Sequence, residues 1–298
     1  MIETEKLIDG KAVAKTIRRR VAEEIEGFAA EQRKPRLDVV LVGDDPASHT
    51  YVRSKARACK ECGIEARVHE RPAEISQESL LSLVGELSGD DRVDGVLVQL
   101  PLPGHLDEDA VIRSLDPSKD VDGLHPESLG LLAAGKPRLT PCTPRGIQIL
   151  LEESGIDPAG REIVILGRSL IVGRSLSLLL SLKGPGGNAT VTVCHSRTRD
   201  VSSHTRRAEI LVAAVGSPGA VTGDMVSDGV VVIDVGVNRV EDPSARRGYR
   251  LVGDVEFESV APKASRITPV PGGVGPMTVA VLMQNTLRAY RARREAET

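Results

Sequence analysis

Tyr51 and Lys55 form a Tyr-x-x-x-Lys pair far upstream of the one turn that resembles a nucleotide-binding loop, Gly167-Arg168-Ser169. Residues four apart lie on one helical face and project into the same cleft. Where such a pair serves a cofactor within a single domain, it follows the cofactor turn; here it precedes it. The order predicts a chain in two parts, with a substrate-handling pair in the first and a nucleotide fold in the second. A length of 298 residues agrees, because single cores rarely grow that large.

Helical and strand signals alternate throughout. A helix is expected over 10–33, a strand at Leu37–Val42 ending at Gly43, a helix over 50–62 closed by Gly63, and a strand at Ala66–Glu70. A helix around 76–88 and a strand at Gly95–Leu100, stopped by Pro101, complete the first series. Residues 116–145 read as loop. Thr143 then suits an N-cap and Pro144 a first helical position, for a helix ending near Gly155. The second part offers near-continuous apolar strands at Glu162–Leu166, Thr190–Val193, Ile210–Ala214 and Val230–Asp234, suited to a parallel sheet covered on both faces. A closing helix is expected over 276–294, opened by Pro276. The fold class is α/β, in two domains.

Composition excludes several functions. Aromatic residues make up 2% of the chain and tryptophan is absent, too few for stacking platforms on single-stranded nucleic acid. The net charge of −3 gives no phosphate-backbone footprint. The opening Met1–Lys6 is not a signal peptide, and no apolar run approaches the ~20 residues that span a bilayer. Four cysteines form no disulfide framework, which suits a reducing, cytoplasmic setting. Cys59 and Cys62 lack a second ligand pair, and the acidic residues lack calcium-loop spacing, so no metal site is expected.

In the turn Gly167-Arg-Ser-Leu-Ile-Val-Gly173, Gly167 permits a tight strand exit and Gly173 a close helix approach. Alone it fits a structural turn as well as a cofactor loop. The next strand ends in Cys194-His-Ser-Arg-Thr198, without the carboxylate that binds the ribose hydroxyls of NAD. Ser196, Arg197 and Arg168 are placed for a 2′-phosphate instead, which favours NADP over NAD. Lys55 would need its pKa lowered by about 3 units to act as a base near neutrality, and Gln99 could orient it. Asp120-Val-Asp122-Gly123 suits either a ligand-holding carboxylate or an Asx turn. The segment Thr268-Pro-Val-Pro-Gly-Gly-Val-Gly-Pro-Met-Thr278 is either an interdomain connector or a binding loop.

These segments together resemble the bifunctional methylenetetrahydrofolate dehydrogenase/cyclohydrolase (FolD) family. The matching stretches are Val42–Lys55, Val98-Gln-Leu-Pro-Leu-Pro103, Lys119-Asp-Val-Asp-Gly123, Pro141–Pro144, Gly167–Gly173, Asp234-Val-Gly-Val-Asn-Arg239 and Thr268–Thr278. Ser175 stands where that family usually has proline. The resemblance implies oxidation of 5,10-methylenetetrahydrofolate with NADP+ and then hydrolysis of the methenyl product to 10-formyltetrahydrofolate, in one-carbon metabolism. It implies Lys55 as the central residue of the hydrolytic step, tuned by Gln99, with Tyr51 stacked on the folate and Asp122 on the pterin edge. Val52, Val98, Leu100, Pro101, Pro271, Gly272, Gly273, Val274 and Gly275 would contact the substrate. Gly167, Arg168, Ser169, Ser196, Arg197 and Val237 would contact NADP. It further implies a folate domain of residues 1–146 plus 276–298, with the closing helix packing back on it, a Rossmann-like NADP domain of 147–275, and a homodimer. A dehydrogenase without cyclohydrolase activity and a non-catalytic nucleotide sensor are the competing readings.

Overall fold

A computed structural model describes residues 4–29, 32–245 and 248–297. The start of the Met1–Lys6 stretch and residues 30 and 31 of the expected first helix lie outside them. Two units divide the chain: Lys15–Cys142 completed by the segment from Val279, and Thr143–Thr278 together with the segment up to Ala14.

In the first unit α1 (Gly10–Glu26, of which Lys15 onward belongs to this unit), β1 (Arg36–Val42), α2 (Pro46–Cys62), β2 (Glu65–Arg71), α3 (Gln77–Gly89) and β3 (Gly95–Val98) alternate, followed by α4 (Glu108–Arg113) and α5 (Pro126–Ala133). The sheet is parallel, in the order β2-β1-β3. All seven residues of the central β1 are buried, as a strand covered on both faces requires, whereas the edge strand β2 is largely exposed. Asp38 is tolerable inside because Arg36 bonds both its oxygens at 2.7 Å and His69 reaches Oδ2 at 2.7 Å. The expectation of continuous loop over 116–145 is corrected. His125 caps α5 by accepting the Glu127 N–H, and Pro126 takes a first-turn position where its missing donor costs nothing.

The second unit begins with α6 (Cys142–Glu153), then β4 (Glu162–Leu166), α7 (Ser175–Ser181), β5 (Thr190–Cys194), α8 (Val201–Thr205), β6 (Ile210–Ala213) and β7 (Val231–Asp234). A hairpin of β8 (Asn238–Glu241) and β9 (Tyr249–Val252), then α9 (Phe257–Val260) and β10 (Arg266–Ile267), precede α10 (Val274–Glu297). Five strands form a parallel sheet in the order β10-β7-β6-β4-β5. The chain therefore steps from β4 to one side and then back across it to β6, which creates a topological switch point at the carboxyl ends of β4 and β6.

Three helix starts differ from expectation. The α2 helix opens at Pro46, capped by Asp45, rather than at residue 50. The α6 helix opens at Cys142, so Thr143 is helical rather than an N-cap; its Oγ1 lies 2.9 Å from Thr278 Oγ1. The α10 helix opens at Val274, ahead of Pro276. Its continuation past Val279 closes the core of the first unit: Tyr290 is fully buried, stacks on Phe28 at 5.5 Å and donates its hydroxyl to the Arg33 carbonyl at 2.8 Å. Among the described residues no helix is long and apolar enough to cross a membrane.

Candidate active site

Helix α2 is built to carry a buried amine. Asp45 caps it by accepting the Ser48 N–H at 2.7 Å, Pro46 opens it, and Gly63 closes it at φ 75°. Its buried residues include Ser48, Val52, Lys55, Cys59 and Cys62, a stripe at helical spacing in which Lys55 occupies a slot normally given to an apolar residue. Tyr51, one turn earlier, is 45% exposed at the helix surface.

The Lys55 ammonium donates to Gln99 Oε1 at 2.9 Å. Gln99 follows β3 directly: its N–H bonds the Val40 carbonyl at 2.9 Å, and its Nε2 donates to the Leu100 carbonyl at 2.7 Å. With the amide nitrogen so engaged, the oxygen must face the lysine. The amide is thus an acceptor aimed at the amine, at the carboxyl end of a parallel strand, where α/β sheets place ligands. Burial pushes the Lys55 pKa down, and the Asp122 carboxylate pulls it back up. Of the other expected first-unit contacts, Val52 and Val98 are buried, Leu100 and Asp122 half-buried, and Pro101 exposed.

The acidic loop divides its two tasks. Asp120 is buried and accepts from the Gly123 N–H at 3.1 Å, the His125 N–H at 2.7 Å and the Ser128 hydroxyl at 2.9 Å, which makes it the Asx-type staple. Gly123 takes φ 75° with Pro141 against it, at 2.6 Å from where a Cβ would sit. Asp122 is thereby left to face Lys55 and the thiol of Cys142. Cys142 is a neighbour that sequence reasoning missed; burial and Asp122 hold its pKa well above the ordinary thiol value. Burial also raises Cys59 to about 12 and Cys62 to about 11, so both are packed thiols rather than redox groups. Among the described residues no group of three or more His, Cys, Asp or Glu could hold a metal.

In the second unit the expected cofactor residues gather along one sheet edge. Gly167 exits β4 at φ 116°, and a Cβ there would stand 2.1 Å from the Ala214 carbonyl oxygen. A Cβ on Gly173 would stand 2.0 Å from the Gly167 carbonyl oxygen, so both glycines are required by close backbone approach. Ser169 accepts the Val172 N–H at 3.2 Å and caps a π-helical turn, Leu170–Arg174, that sequence reasoning did not anticipate. Ser175 supports that turn: its N–H bonds the Val172 carbonyl and its hydroxyl donates to the Leu170 carbonyl. A proline could do neither. Arg168, Ser196, Arg197 and Val237 are exposed at the ends of β4, β5 and β7. Gly173→Ala is expected to cost about 1–3 kcal/mol through overpacking; a thermal unfolding midpoint equal to that of the parent would refute the close-approach assignment.

In the Thr268–Thr278 segment Pro271 and Gly275 are exposed, while Gly272, Gly273 and Val274 are buried. Gly10 meets this segment backbone to backbone, since a Cβ on it would stand 1.8 Å from the Gly273 carbonyl oxygen.

A doubly wound parallel sheet with a glycine-shaped turn at its switch point, in a chain whose other α/β unit holds a buried lysine on an amide, defines a two-domain nucleotide-dependent enzyme. Comparison with known proteins specifies it. The catalytic-domain model of tetrahydrofolate dehydrogenase/cyclohydrolase matches residues 8–122, and the NAD(P)-binding-domain model of the same enzymes matches residues 141–294. The bifunctional protein FolD of Salinibacter ruber is 56% identical over 287 residues, covering 96% of each chain. That of Moorella thermoacetica is 52% identical, covering 96% of this chain and 98% of its own. Among solved structures, bifunctional FolD of Campylobacter jejuni superposes with a TM-score of 0.90 at 46% identity, over 96% of this chain and 99% of that one. FolD of Trypanosoma brucei, complexed with NADP and an inhibitor, gives a TM-score of 0.92 at 40% identity over 98% of both chains. The chain belongs to the tetrahydrofolate dehydrogenase/cyclohydrolase family.

Proposed function

We propose that the protein oxidises 5,10-methylenetetrahydrofolate to the methenyl cation with NADP+ and hydrolyses that cation to 10-formyltetrahydrofolate. The observation that carries this reading is the buried Lys55 amine fixed on Gln99 Oε1 at 2.9 Å. Burial lowers the cost of holding that amine neutral, so it can take a proton from a water attacking the methenyl carbon. The resulting ammonium can then return the proton to the folate nitrogen as the C–N bond of the ring breaks, while the carbinolamine hydroxyl releases its own proton to solvent and becomes the formyl carbonyl; Gln99 holds the amine in line throughout. Asp122 is assigned the donor edge of the pterin and Tyr51 its face, an exposed aromatic surface suited to stacking.

The second unit fits the cofactor on its own geometry. Gly167 lets the chain turn tightly out of β4 against the Ala214 carbonyl, which brings its loop to the ligand edge of the sheet, while Arg168 and Arg197 offer charge to a 2′-phosphate. When bound, the nicotinamide supplies the hydride acceptor; the protein's part is to hold it and exclude water. Arg197→Ala is expected to lower the preference for NADP over NAD by about 10–100-fold, the value of one charge-assisted phosphate contact. Steady-state kinetics with both coenzymes measure it, and an unaltered ratio removes Arg197 as the phosphate reader.

Cytoplasmic residence follows from the cysteine usage of the sequence, and assembly as a homodimer is carried over from the family resemblance; light scattering of the purified protein tests the second. A single assay tests the whole proposal: absorbance of the methenyl product formed from methylenetetrahydrofolate with NADP+, then its decay. Formation without protein-dependent decay would leave a dehydrogenase alone, and no formation would defeat the reading.

A further inference from the structure

The loops that leave β6 and β7 share a buried anchor to which neither reaction gives a role. Asp254 is fully buried, and its carboxylate accepts four hydrogen bonds. Oδ2 takes the N–H groups of Val215 at 2.7 Å and Gly216 at 2.9 Å; Oδ1 takes the Ser217 N–H at 2.9 Å and Asn238 Nδ2 at 2.8 Å. Three successive amides converging on one carboxylate form a nest, which fixes the backbone of the loop. Asp234 holds the anchor in turn. Its Oδ1 accepts the N–H groups of Gly236 at 3.0 Å and Asp254 at 2.9 Å, and its Oδ2 that of Val255 at 3.0 Å.

The clasp leaves no slack. A Cβ on Gly236 would stand 2.2 Å from Asp254 Oδ1, and one on Gly253 would stand 1.7 Å from Asp234 Oδ2. What the clasp holds lies at the ligand edge of the sheet: Val215 after β6 and Val237 after β7 are large apolar residues 42% and 44% exposed. The same loop abuts Gly167, whose missing Cβ makes room for the Ala214 carbonyl. Strands β6 and β7 lie on the far side of β4 from β5, the strand whose end faces the adenosine ribose. In a doubly wound sheet that far side receives the nicotinamide half of the dinucleotide.

We propose that Asp254 is a positioning residue for hydride transfer: by clamping Val215–Ser217 and Asn238 it sets the two exposed valines that bound the nicotinamide half of the cofactor bed. The inference rests on the dinucleotide-dependent reading of this unit. Asp254→Asn tests it, because the amide must point an NH2 at one of the two donor pairs and loses those bonds. Amide hydrogen exchange at 215–217 is expected to accelerate in the cofactor-free protein. Dehydrogenase kcat is expected to fall about 100-fold, the effect of misplacing a reacting group by around an ångström. The deuterium isotope effect on hydride transfer should rise, while the KM for NADP+ changes far less. Cyclohydrolase activity, assayed from the methenyl substrate without cofactor, is expected to be unchanged. Asn238→Ala removes a single donor and should show the same pattern at about a tenth of the amplitude, which keeps the test decisive if Asp254→Asn does not fold.

Parallel loss of both activities with the unfolding midpoint would make Asp254 merely structural and overturn the inference. Faster exchange at 215–217 with undiminished hydride transfer would overturn it too. Failure of the parent protein to oxidise methylenetetrahydrofolate with NADP+ would instead defeat the proposed function, and would show before any substitution is made.

Discussion

Lys55→Met is expected to lower cyclohydrolase turnover by about 10²–10⁴-fold, the usual share of a positioned acid–base group, in a protein that remains folded. Methionine keeps the volume of the side chain on the buried stripe of α2 and removes the polar head, so packing survives. Stability moves with a definite sign. The folded pKa of Lys55 lies below its ordinary value. Between the two values the unfolded chain binds a proton that the native chain does not, so parent stability rises with pH across that window. Below the window the parent carries the cost of a buried charge. Lys55→Met removes both the cost and the slope, and its thermal midpoint near neutral pH should equal or exceed that of the parent. Decay of the methenyl absorbance measures the first effect and thermal scans across pH the second. Undiminished decay would remove Lys55 from the hydrolytic step.

Asp122→Ala is expected to raise the KM for the folate substrate about 10–100-fold, through loss of a charge-assisted pair worth about 1.5–3 kcal/mol. A second effect follows from electrostatics. The Asp122 carboxylate is the largest influence holding the Lys55 pKa up against burial. Its removal lets that pKa fall further, so the acid limb of the cyclohydrolase pH profile should shift to lower pH. Asp122→Asn keeps the shape and loses the charge, so it should show the shift with a smaller KM change. An unmoved profile in both variants would show that Asp122 does not act on Lys55, and an unchanged KM would remove it from the pterin.

Much of the fold was legible because its strands are apolar runs bounded by Gly and Pro, and because Gly63 is strong punctuation for the end of α2; the start of α2 at Asp45-Pro46 was missed. Helix α5 was not legible either, since its cap is a histidine, a residue type that carries little weight as an N-terminal signal. The edge strands β8 to β10 are short and half-exposed, and they lack the apolar density that marks β4 or β7. In the site, Lys55 and Gln99 were found from spacing and strand ends, but the split of labour between Asp120 and Asp122 was not. Two carboxylates in one turn look alike until their donors are placed. Cys142 and Asp254 escaped for a related reason: each makes its contacts with groups far away in sequence, and nothing local distinguishes a nest-holding aspartate from a solvated one.

Tyr290 and its neighbours on α10 carry a consequence for biosynthesis. The hydrophobic interior of the first unit is finished only by residues after Val279, and the second unit draws on residues on both sides of the first. A ribosome must therefore deliver residues up to Thr278 before the second unit can seal itself from water, and residues through Tyr290 before the first can. The early-made portion waits with an apolar gap exposed, the condition in which nascent chains rely on chaperone shelter. A chain that stops before Val279 should leave the first unit unable to fold and open to proteolysis.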